Sequence, residues 1–161
     1  MKFKELMLRA NAKHGRKPFL GSVLALDPGE TTGWALFSDG MLKACGQIET
    51  SGTRGFVDIA VFIEKIQPEA VVCEAYKVYS WKRDQHVWSG LYTVRLIGAI
   101  ELTCAKMGIP LHLQMAQTGK SFCSDAKLKN WGYWKRGERH ARDAIRHGCH
   151  WLLFGKEKSD G

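Results

Sequence analysis

The sequence predicts an α/β layered domain built on a mixed sheet. Three observations carry that prediction. Short apolar runs alternate with stretches of helical periodicity along most of the chain. Ser38-Asp39-Gly40 separates two early apolar runs, which marks an antiparallel hairpin. The later apolar runs are separated by helix-length segments, the connection that parallel strands require. At 161 residues the chain suits one domain with a real hydrophobic core. Neither a repeat nor a linker interrupts it.

Residues 1–18 read as a basic N-terminal extension. Phe3, Leu6, Met7 and Ala10 recur at helical spacing among Lys2, Lys4, Lys13, Arg16 and Lys17, so a short helix and a mobile arm are equally expected. The domain proper spans residues 19–155, and 156–161 form a flexible tail. Phe19 to Leu26 reads as a strand buried on both faces. Trp34 to Phe37 and Met41 to Ile48 are the arms of the hairpin. Phe56, Ile59, Ala60, Ile63 and Ile66 trace one helix, stopped by Pro68. Ala70 to Cys73 is a fourth strand, ending on Glu74. A long helix runs from about Leu91 to Met107 and closes at Gly108 and Pro110. Leu111 to Met115 is the fifth strand. The polar, basic and aromatic segment TGKSFCSDAKLKNWGYWKRGE has room for one helix, and Arg139 to Phe154 forms the last.

Composition narrows the setting. A net charge of +8 favours a polyanionic partner. Five cysteines, an odd number without C-x-x-C spacing, argue against a disulfide framework or structural zinc site. His147, Cys149 and His150 cluster, but at no zinc-site spacing. No apolar run is long enough for a membrane helix, and the N-terminus lacks the apolar h-region of a secretory signal. No membrane association is therefore expected, and the expected location is the cytosol of a bacterium or a phage-infected host.

The chemistry gathers at strand ends. In VLALDPGETTGW an apolar run stops on Asp27, and in EAVVCEA another stops on Glu74. Strand ends are where α/β sheets place their ligand crevices. In HARDAIRHG, His140 and Asp143 stand three apart on a predicted helix and share one face, with His147 a turn further on. Taken singly, each of these residues has an ordinary structural explanation. Together, Asp27, Glu74, Asp143 and His140 offer hard oxygen ligands and one imidazole, an inventory suited to Mg²⁺ or Mn²⁺. Two such ions activate water and stabilise a leaving oxygen in phosphodiester cleavage. An acidic pocket in a basic protein is the pattern of a metal-dependent nuclease.

The segments LALDPGETTGWALF, VVCEA and HARDAIRHGCHWL, in this order, resemble the RuvC-type Holliday-junction resolvases of the ribonuclease-H-like superfamily. The resemblance covers about residues 20 to 154. It implies a ribonuclease-H-like mixed five-stranded sheet flanked by helices, and a crossover junction endodeoxyribonuclease that uses two metal ions. The family's metal-binding acids fall on Asp27, Glu74 and Asp143, with His140 in a slot that holds Asp or His. Lys120 falls near a basic residue that the family uses around the scissile phosphate. An aromatic that opens the junction in relatives has Tyr76 and Tyr79 as candidates here. Thr31 and Thr32 are candidates to contact the cut strand or, as the plainer reading, to cap the turn. Lys77, Lys82, Arg83, Lys127 and Arg136 are further candidate DNA contacts. The near two-fold symmetry of a four-way junction implies a homodimer, with the long helix as a candidate interface. The basic, Trp-rich segments and the N-terminal extension depart from the bacterial pattern and suit a divergent, phage-type member.

Other readings compete. DPGETTG also resembles the phosphate-binding turn of actin-like and sugar-kinase ATPases. Those enzymes close two domains around a nucleotide, whereas this chain has length for one and no second Gly-rich loop, so no nucleotide cofactor is expected. A ribonuclease-H-like enzyme on structured RNA would use the same metal chemistry. A branched-DNA binding module without catalysis is the remaining alternative.

Overall fold

The computed structural model describes residues 1–76 and 87–155, in the second segment with side chains from residue 90 onward. Among the described residues are strands β1 (Val23–Asp27), β2 (Thr31–Ser38), β3 (Met41–Glu49), β4 (Ala70–Ala75) and β5 (Leu111–Met115). The helices are α1 (Phe3–Lys13), α2 (Gly52–Ile66), α3 (Val87–Met107), α4 (Ala116–Phe122), α5 (Asp125–Trp131) and α6 (Arg139–Phe154). None is long and apolar enough to cross a membrane.

The strands form one mixed sheet in the order β3-β2-β1-β4-β5. β1, β2 and β3 pair antiparallel, whereas β4 lies parallel to both β1 and β5. The β2–β3 hairpin turns on Asp39 (φ 53°) and Gly40 (φ 68°). Two successive left-handed residues match the twist of a two-residue hairpin, which is why Asp-Gly serves there. α2 ends where Gln67 adopts a left-handed conformation just before Pro68.

Side chains alternate across the strands. Leu24, Leu26, Val71 and Cys73 face α2 and α3, burying against Ile59, Ile63, Leu96 and Ile100. Val23, Ala25, Ala70 and Val72 face the other way, against Ala144, Ile145, Cys149 and Leu152 of α6. Each fully buried aliphatic side chain contributes about 1.5–3 kcal/mol, so these two layers hold the domain together.

Three expectations need adjustment. Phe19 to Ser22 stay outside the ladder, and β1 starts at Val23; Phe19 instead packs its ring edge-on against Trp151 of α6. The segment after β5 holds two short helices rather than one, separated at Cys123 and Ser124, because the Ser124 hydroxyl caps α5 by accepting from the Lys127 amide. Finally, the basic N-terminal segment takes the helical alternative and joins the core. Phe3 and Met7 are buried among Phe37, Leu128 and Cys149. Its polar residues close the far end of α6. The Asn11 amide donates to the Leu152 carbonyl at 3.0 Å, and the Arg16 guanidinium donates to the Leu153 and Phe154 carbonyls at 2.8 Å. Those carbonyls lack helical partners, and a cation there opposes the negative end of the helix dipole.

Candidate active site

Strand parity decides where the acids point. In β1, Val23 and Ala25 face α6, so Asp27 faces α6 too; in β4, Ala70 and Val72 do, so Glu74 follows. The parallel register aligns Leu26 with Cys73, which puts Asp27 and Glu74 side by side at neighbouring strand ends. α6 crosses above them and lowers His140, Asp143 and His147 from one face. It can come this close because β2 has glycine at position 33. A Cβ there would collide with the His140 carbonyl. Gly33 is thus the sterically required glycine of the DPGETTG turn, whereas a Cβ on Gly29 would meet only the Thr31 carbonyl at 3.3 Å.

The carboxylates are held in different ways. Asp27 is buried and has the His140 Nδ1 at 3.1 Å from its Oδ2. Asp143 is buried as well, with the Arg146 Nη1 at 2.7 Å and the Lys120 Nζ at 3.7 Å. Arg146 also bonds the Cys123 carbonyl at 2.9 Å and the Asp125 carboxylate, so it is fully engaged. Glu74 accepts from the His147 Nε2 at 2.8 Å. His147 is 1% exposed, and its Nδ1 lies 2.9 Å from the Gln114 Oε1.

Electrostatics follow from this crowding. Burial first, then the charges of Glu74 and Asp143, push the Asp27 carboxyl up from 3.8 to about 8, with Lys120 opposing. Burial also raises Glu74, but its hydrogen bond to His147, the His147 charge and Lys120 outweigh that, so Glu74 sits below its ordinary value. The protein alone therefore keeps Asp27 protonated near neutrality and Glu74 ionised. Among the described residues, no three His, Cys, Asp or Glu side chains stand in the geometry of a finished metal cage. The donor set nevertheless fits a hard divalent cation. Three carboxylates from three elements converge, and their mutual repulsion is the kind that a divalent ion relieves.

The residues expected at the site divide sharply. Asp27, Glu74, His140, Asp143 and Lys120 lie together. Thr32 does not face outward: it is fully buried, and its hydroxyl meets that of Thr50 at 2.6 Å. The Thr50 hydroxyl donates to the Gly29 carbonyl at 2.6 Å, so the pair braces the Pro28-Gly29 turn from inside. Of the two readings of Thr32 the turn-capping one is seen and not the strand contact, because β2 begins at Thr31 and parity turns its second residue inward. The Thr31 hydroxyl donates to the Glu49 carboxylate across the hairpin. Tyr76 packs with the α3-side core, its hydroxyl end against Gly90. Lys127 lies over the Phe122 ring and donates to the Phe122 carbonyl. Arg136 is exposed. Lys77, Tyr79, Lys82 and Arg83 lie outside the described residues. Sequence reasoning placed His147 on the right face but gave it no role, and it missed Gln114, Arg146 and Thr50. Only the seven-residue spacing from His140 to His147 offered a signal.

No family model and no curated protein matches this sequence. Solved structures do resemble it. Thermus thermophilus RuvC in complex with a Holliday junction substrate superposes with a TM-score of 0.65 at 15% identity, covering 83% of this chain and 94% of that one. The yeast mitochondrial Holliday junction resolvase Ydc2 gives 0.56 at 13% identity, over 92% and 84%. The fowlpox virus resolvase, solved with Holliday junction DNA, gives 0.53 at 12% identity, over 81% and 96%. The chain has the ribonuclease-H-like α/β fold of the RuvC-type junction resolvases.

Proposed function

We propose that this chain is a metal-dependent endonuclease that resolves four-way DNA junctions or related branched DNA. The observation that carries this reading is the meeting of Asp27, Glu74 and Asp143 on the α6 face, crowded enough to lift Asp27 to about 8. Two structures of the same fold hold Holliday junction DNA, which supports a branched substrate. Asp27, Glu74 and Asp143 would hold Mg²⁺ or Mn²⁺, with His140 as a fourth ligand or as the group that orients the attacking water. Such ions supply the Lewis acidity that activates water and stabilises the leaving oxygen. Lys120, beside Asp143 and half exposed, offers positive charge to the phosphate being cut. A net charge of +8 supports binding to the phosphate backbone.

A homodimer suits the symmetry of a four-way junction. Leu91 and Leu102 of α3 are 57% and 63% exposed, an apolar surface fit for such a contact. Light scattering should show two copies per particle; a monomer both with and without DNA counts against the dimer.

The test uses labelled four-way, flap and linear DNA in Mg²⁺, Mn²⁺ and EDTA. Paired symmetrical nicks in the four-way junction, dependent on the ion, are expected. Cutting of matched RNA branches alone, or binding without cutting under every condition, overturns the reading.

A further inference from the structure

His140 and His147 sit on the same helix face but in different surroundings. The His140 side chain is 41% exposed, so one edge of its ring is open to the site. His147 is 1% exposed, and both ring nitrogens are already committed, Nε2 to Glu74 and Nδ1 to Gln114. That excludes His147 as a ligand in this arrangement and points to a mechanical role. The β4–β5 register makes Glu74 and Gln114 direct partners. The imidazole reaches down from α6 and closes the gap between their side chains. Three elements therefore meet through one buried ring: the end of β4, the end of the edge strand β5, and the middle of α6. Above it, α4 presses Gly119 toward the His147 backbone, where a Cβ would lie 3.3 Å from its nitrogen.

We infer that His147, seated by Gln114, is a positioning residue that fixes the Glu74 carboxylate for divalent-ion binding. This rests on the nuclease reading above. The physical reason is conformational. Glu74 stands at a strand end with three side-chain torsions, and without a tether each would have to be ordered when the ion binds. One Glu74 oxygen, Oε2, is held by His147, and the carboxylate lies against Asp27. Outer partners that orient a metal-binding carboxylate typically change metal affinity by about 10–100-fold when removed.

The test measures Mn²⁺ binding by calorimetry on DNA-free protein, with Mg²⁺ activation of junction cutting beside it. H147A should weaken Mn²⁺ binding by about 10–100-fold and raise the Mg²⁺ concentration for half-maximal cutting in parallel. The maximal rate at saturating Mg²⁺ should recover most of its wild-type value. H147Q, which keeps an N–H donor, should restore part of the affinity. Q114M leaves His147 in place but frees its ring, and should give an intermediate loss. If H147A, at a buried position, fails to fold, Q114M, whose site is half-buried, decides the matter. A folded H147A or Q114M that binds Mn²⁺ within twofold of wild type overturns the inference. Wild-type protein that binds no divalent ion overturns the nuclease reading itself, which is a different result.

Discussion

On the α2–α3 side of the sheet, Leu24, Leu26, Val71 and Cys73 bury against aliphatic side chains along the whole described face. On the α6 side, Val23, Ala25, Ala70 and Val72 do the same for two layers. In the third layer that face changes character, to Asp27, Glu74, His140, Asp143 and His147. The two faces share strands, twist and burial; they differ by a single residue of parity at one end. The polarity of the proposed site thus requires no separate scaffold. It needs one strand residue beyond the core layer on the face covered by a helix with polar side chains to offer.

The hardest way to break this comparison is to change adjacent residues of β1. Asp27→Asn should abolish junction cutting in Mg²⁺, with junction binding retained. The same change should stabilise the metal-free fold. A carboxyl raised from 3.8 to about 8 holds its proton in the folded protein after the unfolded chain has lost it. Its stabilising contribution is full below about pH 4 and is lost as pH rises to about 8. Between these limits the slope is at most about 1.4 kcal/mol per pH unit. Melting in EDTA from pH 5 to 8.5 should show the wild type losing stability relative to Asp27→Asn as pH rises. Parallel curves would mean that Asp27 is not under charge stress.

Leu26 is the neighbour that points the other way. Leu26→Ala should cost about 2–5 kcal/mol of stability through the cavity it leaves, readable by urea unfolding. The cutting rate of the folded fraction should stay within about twofold. Adjacent positions then give opposite outcomes: loss of cutting without loss of stability at Asp27, and loss of stability without loss of cutting at Leu26. A Leu26→Ala protein that is stable but inactive would show that the two faces are coupled.

Much of this division was legible in the sequence. An apolar run ending on Asp27 and a helix bounded at Arg139 and Phe154 follow from local pattern and recur in the structure, while the strand expected to end on Glu74 runs one residue further, to Ala75. The choice between the two readings of Thr32 was not legible, because its parity depends on β2 starting at Thr31, a boundary set by pairing with Glu49. His147 reveals its role only with Gln114, which arrives from another strand. The segment 1–18 looked like an extension because lysines dominate it, yet Phe3 and Met7, one helical turn apart, find their cavity beneath α6 and Tyr133. Such signals are tertiary, and no local window contains them.

Smaller effects sharpen the boundary within the α6 face. Thr50→Val removes the hydroxyl that holds both Gly29 and Thr32. It leaves the Gly29 carbonyl only the longer contact from the Thr32 hydroxyl at 3.3 Å, so a loss of about 1 kcal/mol is expected. Because that turn follows Asp27 directly, the Mg²⁺ concentration for half-maximal cutting should rise as well. An unchanged Mg²⁺ response would separate the turn from the site.

Arg16 tests the opposite end of α6. Its guanidinium caps the Leu153 and Phe154 carbonyls, while the acids cluster around the helix start and middle. Arg16→Gln removes the cation facing the helix C-terminus but leaves an amide donor of similar reach. The expected loss is about 0.5–2 kcal/mol, seen as a melting point lower by a few degrees and eased by neither Mg²⁺ nor DNA. Cutting rate and Mg²⁺ dependence should remain at wild-type values, because the intervening turns of α6, with Ile145, Cys149 and Leu152, stay packed on the sheet. A changed Mg²⁺ dependence in this variant would mean that α6 shifts as a rigid rod when its far end is loosened. The precision of the site would then depend on the whole length of the helix, and the N-terminal segment that caps it would be part of the catalytic frame.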